Sequence, residues 1–376
     1  MTVQVRHPYN VPVKVPPPAF PPTLQCAEAK HCVVVSPHNA LHCNAEEALG
    51  AKVLLEMFTK HNDSWIVELL YPDLFDWLDW FWRERRAGIG LMVLGSDPGF
   101  PTAPDPTVGR WGGGRDEAAD NSPMYDGVGG GNPGPLVNGT GVWNKTTHRM
   151  NLYDVGSSSL VCMELQALAT LAMTAFDSPR TAEHDLLMSR FTELSQLLTG
   201  YLWDEVSGLF VNRHLNGSFV RRISPTSFYP LLSGLATEHQ AQQMMLKLHS
   251  PDYFCVSANG DFAGLRDDCY WGMPSIAESD PAFPALGYWR GYVWGPMIQL
   301  TYWGLQHPRY ANVSEVTAGR KAMVAQAGAM ELAVWRNSGH LCENYNPGKE
   351  AKCTGGTFYH WAALTGFVGL LEAGLY

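Results

Sequence analysis

The sequence predicts an all-helical fold, built as a ring of paired helices whose connecting loops gather at one end. From about residue 45 onward, apolar residues recur at the helical spacing, whereas two-residue alternation is short and local. Long glycine-rich loops separate the helical segments, and the absence of a fixed-length repeat argues against a regular solenoid. With 45% hydrophobic residues, a chain of 376 residues can bury a large core.

The chain is expected to divide at about residue 40. Residues 1–40 contain the run HPYNVPVKVPPPAFPP. Proline fixes one backbone dihedral and removes an N–H donor, so this run predicts an extended N-terminal segment. Residues 41–376 are predicted to form one helical domain.

Several helices can be read from periodicity and end signals. The clearest lies in DLFDWLDWFWRERR, where one face carries Leu74, Phe75, Leu78, Phe81 and Trp82. A later helix is predicted to begin with Ser178 as its cap and Pro179 in its first turn, and to end at Gly200. Further helices are expected at about 157–176, 226–248, 293–306, 311–336 and 357–374. Asn216-Gly217 predicts a hairpin turn.

Charge and hydropathy limit the partners. A net charge of −10 repels phosphate backbones, so we predict no nucleic acid partner. No apolar run approaches the roughly 20 residues that cross a bilayer, and the first residues lack the apolar core of a signal peptide. Glycosylation sequons favour a secretory or extracellular glycoprotein, and they begin at Asn62, Asn138, Asn144, Asn216 and Asn312. The missing signal peptide leaves a cytosolic protein as the alternative.

The eight cysteines form no CxxC pair. The nearest approach to a metal site is the group Cys26, Cys32, His38, His42 and Cys43, and zinc is the less favoured interpretation of it. We therefore predict neither a metal nor a cofactor.

Three polar or aromatic segments are candidates for chemistry. Residues 87–150 form the longest irregular stretch, and in it Trp111, Asn121 and Tyr125 accompany the acids Asp116, Glu117, Asp120 and Asp126. A loop this long inside a compact domain is usually functional, although a solvated acidic loop would look the same. It lacks the GK[ST] of a phosphate-binding loop.

The second segment is GYWRGYVWGPM at 287–297, and the third is CENYNPGKEAKC at 342–353. Indole planes and a fork-shaped guanidinium suit the apolar faces and hydroxyls of a sugar. The alternatives are a helix start with core tryptophans for the second segment and an ordinary turn for the third.

In order, DNSPMYD, RISPTSFYPLL, YWRGYVWGP and ENYNP resemble glycoside hydrolase family 63 and, more distantly, the trehalases of family 37. The resemblance runs from about residue 40 to the end. It implies that residues 41–376 are an (α/α)6 barrel catalytic domain that inverts the anomeric carbon and binds a carbohydrate. It places the general acid at Asp120 and the general base at Glu343.

The resemblance also implies substrate-binding residues. Trp289 and Trp294 are expected to wall the sugar pocket, with Trp111 on the acid's side. Arg290 is expected to position a hydroxyl or a catalytic carboxylate. The flanking residues Asn121, Tyr125, Asn344 and Tyr345 complete the predicted set. Cys342 and Cys353 bracket the base, either as a disulfide or as reduced buried thiols.

Two departures from the family pattern are present. Asp116-Glu117-Ala118 replaces the usual Glu-Ser-Gly, and about nine helices are predicted where twelve are expected, so the barrel is predicted to lack some N-terminal helices. The resemblance favours a short α-glucoside, mannosylglycerate or glucosylglycerate as the substrate. The alternatives are a trehalase, an inactive carbohydrate-binding relative, and a metal-dependent hydrolase that uses His38 and His42.

Overall fold

The computed structural model describes residues 49–95, 119, 121–126, 143–144, 147, 149–256, 272–347, 352–357 and 359–375. The predicted N-terminal segment, the group around His38 and His42, and two predicted site residues, Trp111 and Asp120, lie outside these ranges.

The described part of the chain is mostly helical, as the sequence predicts. It contains eight α-helices: α1 (Gly50–His61), α2 (Ser64–Glu84), α3 (Val155–Thr174), α4 (Thr181–Tyr201), α5 (Glu238–His249), α6 (Gly295–Leu305), α7 (Ser314–Ser338) and α8 (Leu364–Glu372). Short 3₁₀ segments lie between several of them. Leu78 and Phe81 of α2 are buried, which confirms the apolar face predicted for that helix.

Short antiparallel strands lie between several of the helices along the chain. One sheet has the order β1 (Arg86–Ala87), β2 (Leu91–Gly95), β4 (Arg149–Tyr153) and β3 (Trp143–Asn144), with β7 (Arg213–His214) also paired to β4. The other pairs are β5 (Trp203–Asp204) with β6 (Leu209–Phe210), and β8 (Cys342–Tyr345) with β9 (Cys353–Thr357). These strands are too short and irregular to leave a period-two pattern in the sequence.

Helix α3 is the central element of the core. It packs against α4, α1 and α2 and against the 3₁₀ segment Pro225–Ser233. Among the described residues, α3 has the length and composition of a membrane span. The mean hydropathy of its most apolar stretch is 1.3, and 89% of that stretch is buried inside the protein. The prediction that no apolar run approaches this length overlooked α3, which is apolar because it is surrounded by protein. The described residues contain no clear membrane span, as the sequence predicts.

Helix α1 is held to α3 by a buried carboxylate. The residue before α1, Leu49, provides no side-chain cap. Instead Glu164 of α3 accepts hydrogen bonds from the backbone N–H groups of Ala51 at 2.5 Å and Lys52 at 2.8 Å. Two amides that the helix leaves unpaired are thus satisfied by a neighbouring helix.

The last three helices share a polar contact. Tyr302 of α6 donates to Glu372 of α8 at 3.1 Å, and Arg320 of α7 pairs with the same carboxylate at 3.1 Å. This contact joins α6, α7 and α8 at the end of α8.

The predicted start of α4 is wrong. The helix begins at Thr181 after Arg180, not at Ser178, and it ends at Tyr201. The Arg180 N–H donates to the Ala172 carbonyl at 2.8 Å, and its guanidinium lies 4.1 Å from the centroid of the Phe176 ring. The connection therefore folds back on α3 before helical geometry starts.

The helix predicted at 226–248 is two elements. A 3₁₀ segment, Pro225–Ser233, ends at Gly234 with φ +65°, and α5 starts after Thr237, which forms a capping box with Gln240. Pro230 and the left-handed Gly234 prevent a continuous α-helix. The predicted hairpin turn at Asn216-Gly217 is confirmed, since the His214 N–H donates to the Ser218 carbonyl at 2.9 Å and Gly217 has φ +93°.

Candidate active site

The third segment begins with β8 and ends at the first residue of β9, and these two strands pair antiparallel to form the β8–β9 hairpin. Cys342 and Cys353 form a disulfide across it, with their Cα atoms 5.6 Å apart, so the first of the two alternatives for these cysteines is confirmed. The hairpin is fastened to the aromatic segment 287–297, because Tyr345 and Val293 exchange backbone hydrogen bonds of 3.0 and 2.8 Å. Glu343 on β8 therefore has a fixed relation to the aromatic residues.

The Glu343 carboxylate is held from two sides. The Tyr288 hydroxyl donates to Oε1 at 3.0 Å, and the Gly356 N–H donates to Oε2 at 3.0 Å. Gly355 has φ +72°, and a Cβ on it would lie 2.6 Å from Oε2. Glycine is required at this position both by its conformation and by the close approach of the carboxylate. Two hydrogen-bond donors thus hold the Glu343 carboxylate in one orientation.

Trp289 and Trp294 stack on each other, with ring centroids 3.6 Å apart and planes 6° from parallel. They are 2% and 0% exposed, and Trp361 packs edge-on against both. This burial fits the core alternative for the aromatic segment. The more accessible aromatic side chain beside Glu343 is that of Tyr288, so a sugar contact by the two tryptophans stays a prediction.

The loop that carries Asp120 is described at Ala119 and at 121–126. The Asn121 side chain accepts from the Trp289 N–H at 2.9 Å and donates to the Gly287 carbonyl at 3.4 Å. The residue next to the predicted acid is therefore bound to the same aromatic segment that contacts the predicted base. The structure supports an anchoring role for Asn121.

Arg290 holds the carboxylate of Asp126, which is neither of the two predicted catalytic carboxylates, so its predicted role toward a hydroxyl or a catalytic carboxylate stays a prediction. Arg290 and Asp126 form a bidentate pair with N···O distances of 2.8 and 2.6 Å, and Arg290 also donates to the Asn121 carbonyl at 3.1 Å.

The other flanking residues also have partners inside the protein. Tyr125 is 5% exposed and donates to Asp154, which caps α3, at 3.1 Å. Asn344 is fully buried and accepts from Thr354. Tyr345 is fully buried and donates to the Ala362 carbonyl at 3.2 Å. The structure gives these three side chains a place in the framework of the site, and substrate contact by them stays a prediction.

Sequence reasoning missed two groups that contact Glu343. Tyr288 was visible as part of the aromatic segment, but no residue pattern shows which of the neighbouring aromatic side chains reaches Glu343. The second group is the backbone amide of Gly356, which only the pairing of β8 with β9 brings to the carboxylate.

Removing the disulfide is expected to lower the free energy of unfolding by about 2–4 kcal/mol, the typical contribution of a cross-link over a loop of this size. The two cysteines are 11 residues apart in sequence. The test compares urea denaturation of the parent with the Cys342→Ala/Cys353→Ala variant. Cys162→Ala, which removes a buried unpaired thiol, is the control for loss of cysteine volume. An unchanged denaturation midpoint in the double variant would contradict the prediction.

The family of the chain follows from comparison with known proteins. A family model described as the mannosylglycerate hydrolase MGH1-like glycoside hydrolase domain matches residues 42–362. The chain belongs to this family. The resemblance to glycoside hydrolase family 63 is thereby confirmed.

The relatives of this MGH1-like chain include mannosylglycerate hydrolase MGH1 of Selaginella moellendorffii, 28% identical over 164 residues. That match covers 43% of the chain and 28% of the relative's length. A solved family 63 mannosylglycerate hydrolase from Thermus thermophilus, in complex with Tris and D-glycerate, superimposes with a TM-score of 0.61 at 17% identity, covering 87% of this chain and 77% of that one.

The neutral trehalase Nth1 of Saccharomyces cerevisiae superimposes on 88% of the MGH1-like chain and on 62% of its own, with a TM-score of 0.55 and 16% identity. These structures share the fold of this chain.

Proposed function

We propose that the protein hydrolyses the α-glycosidic bond of a short substrate with inversion, using Asp120 as general acid and Glu343 as general base. The observation that carries the proposal is the Glu343 carboxylate, held by Tyr288 and Gly356 beside an aromatic segment in a chain of this family. The proposed substrate is a short α-glucoside or a glycoside of glycerate, that is, mannosylglycerate or glucosylglycerate.

On the base side, two donors fix Glu343 while its remaining lone pairs can accept a proton from water. That water attacks the anomeric carbon from the face opposite the leaving group. Inverting enzymes separate the two carboxyl groups by about 6.5–9.5 Å to leave room for the water. Tyr288 and Gly356 supply the orientation that a general base needs.

On the acid side, Asp120 is proposed to protonate the leaving oxygen. Its neighbour Asn121 binds the backbone at Gly287 and Trp289, and Tyr288 between them binds Glu343. Residues 287–289 therefore contact both Asn121, next to the proposed acid, and Glu343, the proposed base. Because one short stretch of chain holds both sides of the site, it supports a defined separation between the two carboxyl groups.

We further propose that the paired helices form an (α/α)6-type barrel around this site. The packing of α3 on α4 and α1, and of α8 on α6 and α7, supports the arrangement. The segments that carry Asn121, Trp289 and Glu343 meet at one place in the fold, as expected for a site at one end of a ring of helices.

The substrate class is proposed from the relatives. One is named a mannosylglycerate hydrolase, and the Thermus enzyme was solved in complex with D-glycerate. A trehalase is the second candidate because the yeast neutral trehalase shares the fold.

Release of free sugar from mannosylglycerate, glucosylglycerate, kojibiose, nigerose and trehalose tests the function. Proton NMR of the first-formed anomer tests the stereochemistry, since inversion of an α-glycoside gives the β-sugar first. Turnover of trehalose alone would favour the second candidate. A folded protein that releases no sugar from any of them, yet binds one, would instead be a carbohydrate-binding relative.

Tyr288→Phe is expected to lower kcat by about 10- to 100-fold, because a hydrogen bond to a charged group contributes on the order of 1.5–3 kcal/mol and a tenfold change in rate corresponds to about 1.36 kcal/mol. KM should change little if the hydroxyl orients the base and not the sugar. The control is Tyr253→Phe, at a ring that packs under Lys247. A rise in KM with unchanged kcat would assign the hydroxyl to substrate binding.

A further inference from the structure

We infer that Asp126 is a positioning residue for the general acid, acting with Arg290 as a latch between the acid loop and the aromatic segment. The inference rests on the proposed function, since the acid is Asp120. It assigns Arg290 to the protein framework and gives a role to a carboxylate that lies six residues beyond the acid.

The first argument is the geometry of the pair. Both terminal nitrogens of Arg290 reach Asp126, at 2.8 and 2.6 Å, and one of them also reaches the Asn121 carbonyl at 3.1 Å. The side chains are 12% and 23% exposed, so the charges are largely removed from water. A bidentate pair in this setting fixes both distance and orientation, which a single flexible contact cannot do.

The second argument is that the latch fastens the stretch of chain that directly follows Asp120 in sequence. Arg290 binds the loop on both sides of the 3₁₀ segment Pro123–Tyr125, at Asn121 and at Asp126. In return, the Asn121 side chain binds Trp289 and Gly287. The backbone that leaves Asp120 is thus tied at two points to residues that adjoin Tyr288, the partner of Glu343.

The third argument is that the latch is braced from a separate part of the fold. Arg222 reaches Asp126 at 3.4 Å and forms its own bidentate pair with Asp280 at 2.6 and 2.8 Å. Asp280 is 7% exposed and accepts from the Ala282 N–H at 2.8 Å. Charges therefore alternate along Asp280, Arg222, Asp126 and Arg290, and each charge lies next to one of opposite sign.

A sugar hydroxyl competes poorly for this guanidinium. Charge-assisted bonds to a carboxylate are about twice as strong as bonds to a neutral acceptor. Arg290 would have to leave Asp126 to bind a hydroxyl, which would release the acid loop at the same time. Arg290 is therefore assigned to holding the loop.

The experiment compares Asp126→Asn with the parent on two substrates. One is the O-glycoside that the parent cleaves, and the other is the α-fluoride of the same sugar, whose leaving group needs little protonation. A displacement of about 1 Å at a catalytic group costs on the order of 100-fold in rate. We expect kcat on the O-glycoside to fall about 10- to 100-fold, while KM stays within about threefold of the parent's value. The factor by which kcat falls on the fluoride should be smaller by about fivefold or more.

Arg290→Lys keeps the charge and loses the bidentate geometry, so it should show the same pattern on the two substrates. The double variant Asp126→Asn/Arg290→Lys should lose no more kcat than either single variant by itself. Asp185→Asn, at an exposed aspartate paired with His184, is the control for loss of an ion-paired carboxylate and should match the parent. Equal losses on both substrates, or no loss in either latch variant, would overturn the inference. If Asp120→Asn itself retains activity on the O-glycoside, the proposed acid is wrong, and this outcome is distinguishable from failure of the latch alone.

Discussion

Glu343→Gln is expected to lower kcat by about 1,000-fold or more, because an amide cannot take a proton from water. Glutamine has the shape of glutamate and can keep both contacts of the carboxylate. Its oxygen can accept from the Gly356 N–H, and its amino group can donate to the Tyr288 hydroxyl, which also has acceptor lone pairs. The variant should therefore fold like the parent, and its kcat is measured on the substrate found in the sugar panel.

Two comparisons make this result specific. Glu315→Gln, at an exposed carboxylate that contacts Gln242, is the matched control and should leave kcat unchanged. Asp120→Asn should lose activity on the O-glycoside but recover much of it on the glycosyl fluoride, whereas Glu343→Gln should be inactive on both. A Glu343→Gln variant that retains a tenth of the parent's kcat would mean that another group activates the water.

The segments that make up the candidate site were accessible from the sequence because each motif lies on one continuous stretch of chain. ENYNP marks the strand that carries Glu343, the predicted base, and the aromatic segment can be read directly. The direction of each side chain was not accessible. Successive residues of a strand point to opposite faces, so Asn344 turns away from the face that Glu343 occupies and is buried against Thr354.

Contacts between distant segments are the second feature of the site that could not be predicted from the sequence. Arg290 and Asp126 are 164 positions apart, and only the packing of their two loops brings them together. The start of α4 shows the same limit on a smaller scale. Ser178 and Pro179 carry the usual signals of a helix start, yet the backbone bond from Arg180 to Ala172 delays the helix to Thr181. Local signals predict that a helix exists, and tertiary contacts decide where it begins.

The stability of the fold is expected to fall as pH rises from about 5 to 9, chiefly through Glu164. Burial raises the pKa of this carboxyl from 4.5 to about 8, while the N–H groups of Lys52 and Ala51 act in the opposite direction. Between these two pKa values the folded protein retains a proton that the unfolded chain has released. The stabilisation is therefore complete below the unfolded pKa and is lost as pH rises through the folded pKa. Because one pKa unit corresponds to about 1.36 kcal/mol, the effect is on the order of a few kcal/mol.

Glu164→Gln isolates this contribution, since glutamine is neutral at every pH in the range and its amide oxygen can still accept one of the two hydrogen bonds from the start of α1. The free energy of unfolding, measured by urea denaturation at about pH 5, 7 and 9, should fall less steeply for the variant than for the parent. Part of this pH dependence should remain in Glu164→Gln, because burial also raises the pKa of Glu331 to about 7. The double variant Glu164→Gln/Glu331→Gln should remove more of the pH dependence. Glu56→Gln, at an exposed partner of Lys52, is the control and should keep the parent's slope. An equal pH dependence of the free energy of unfolding in the parent and in Glu164→Gln would show that Glu164 is ionised in the folded protein throughout this range. Glu164 would then bind the start of α1 as a charged carboxylate.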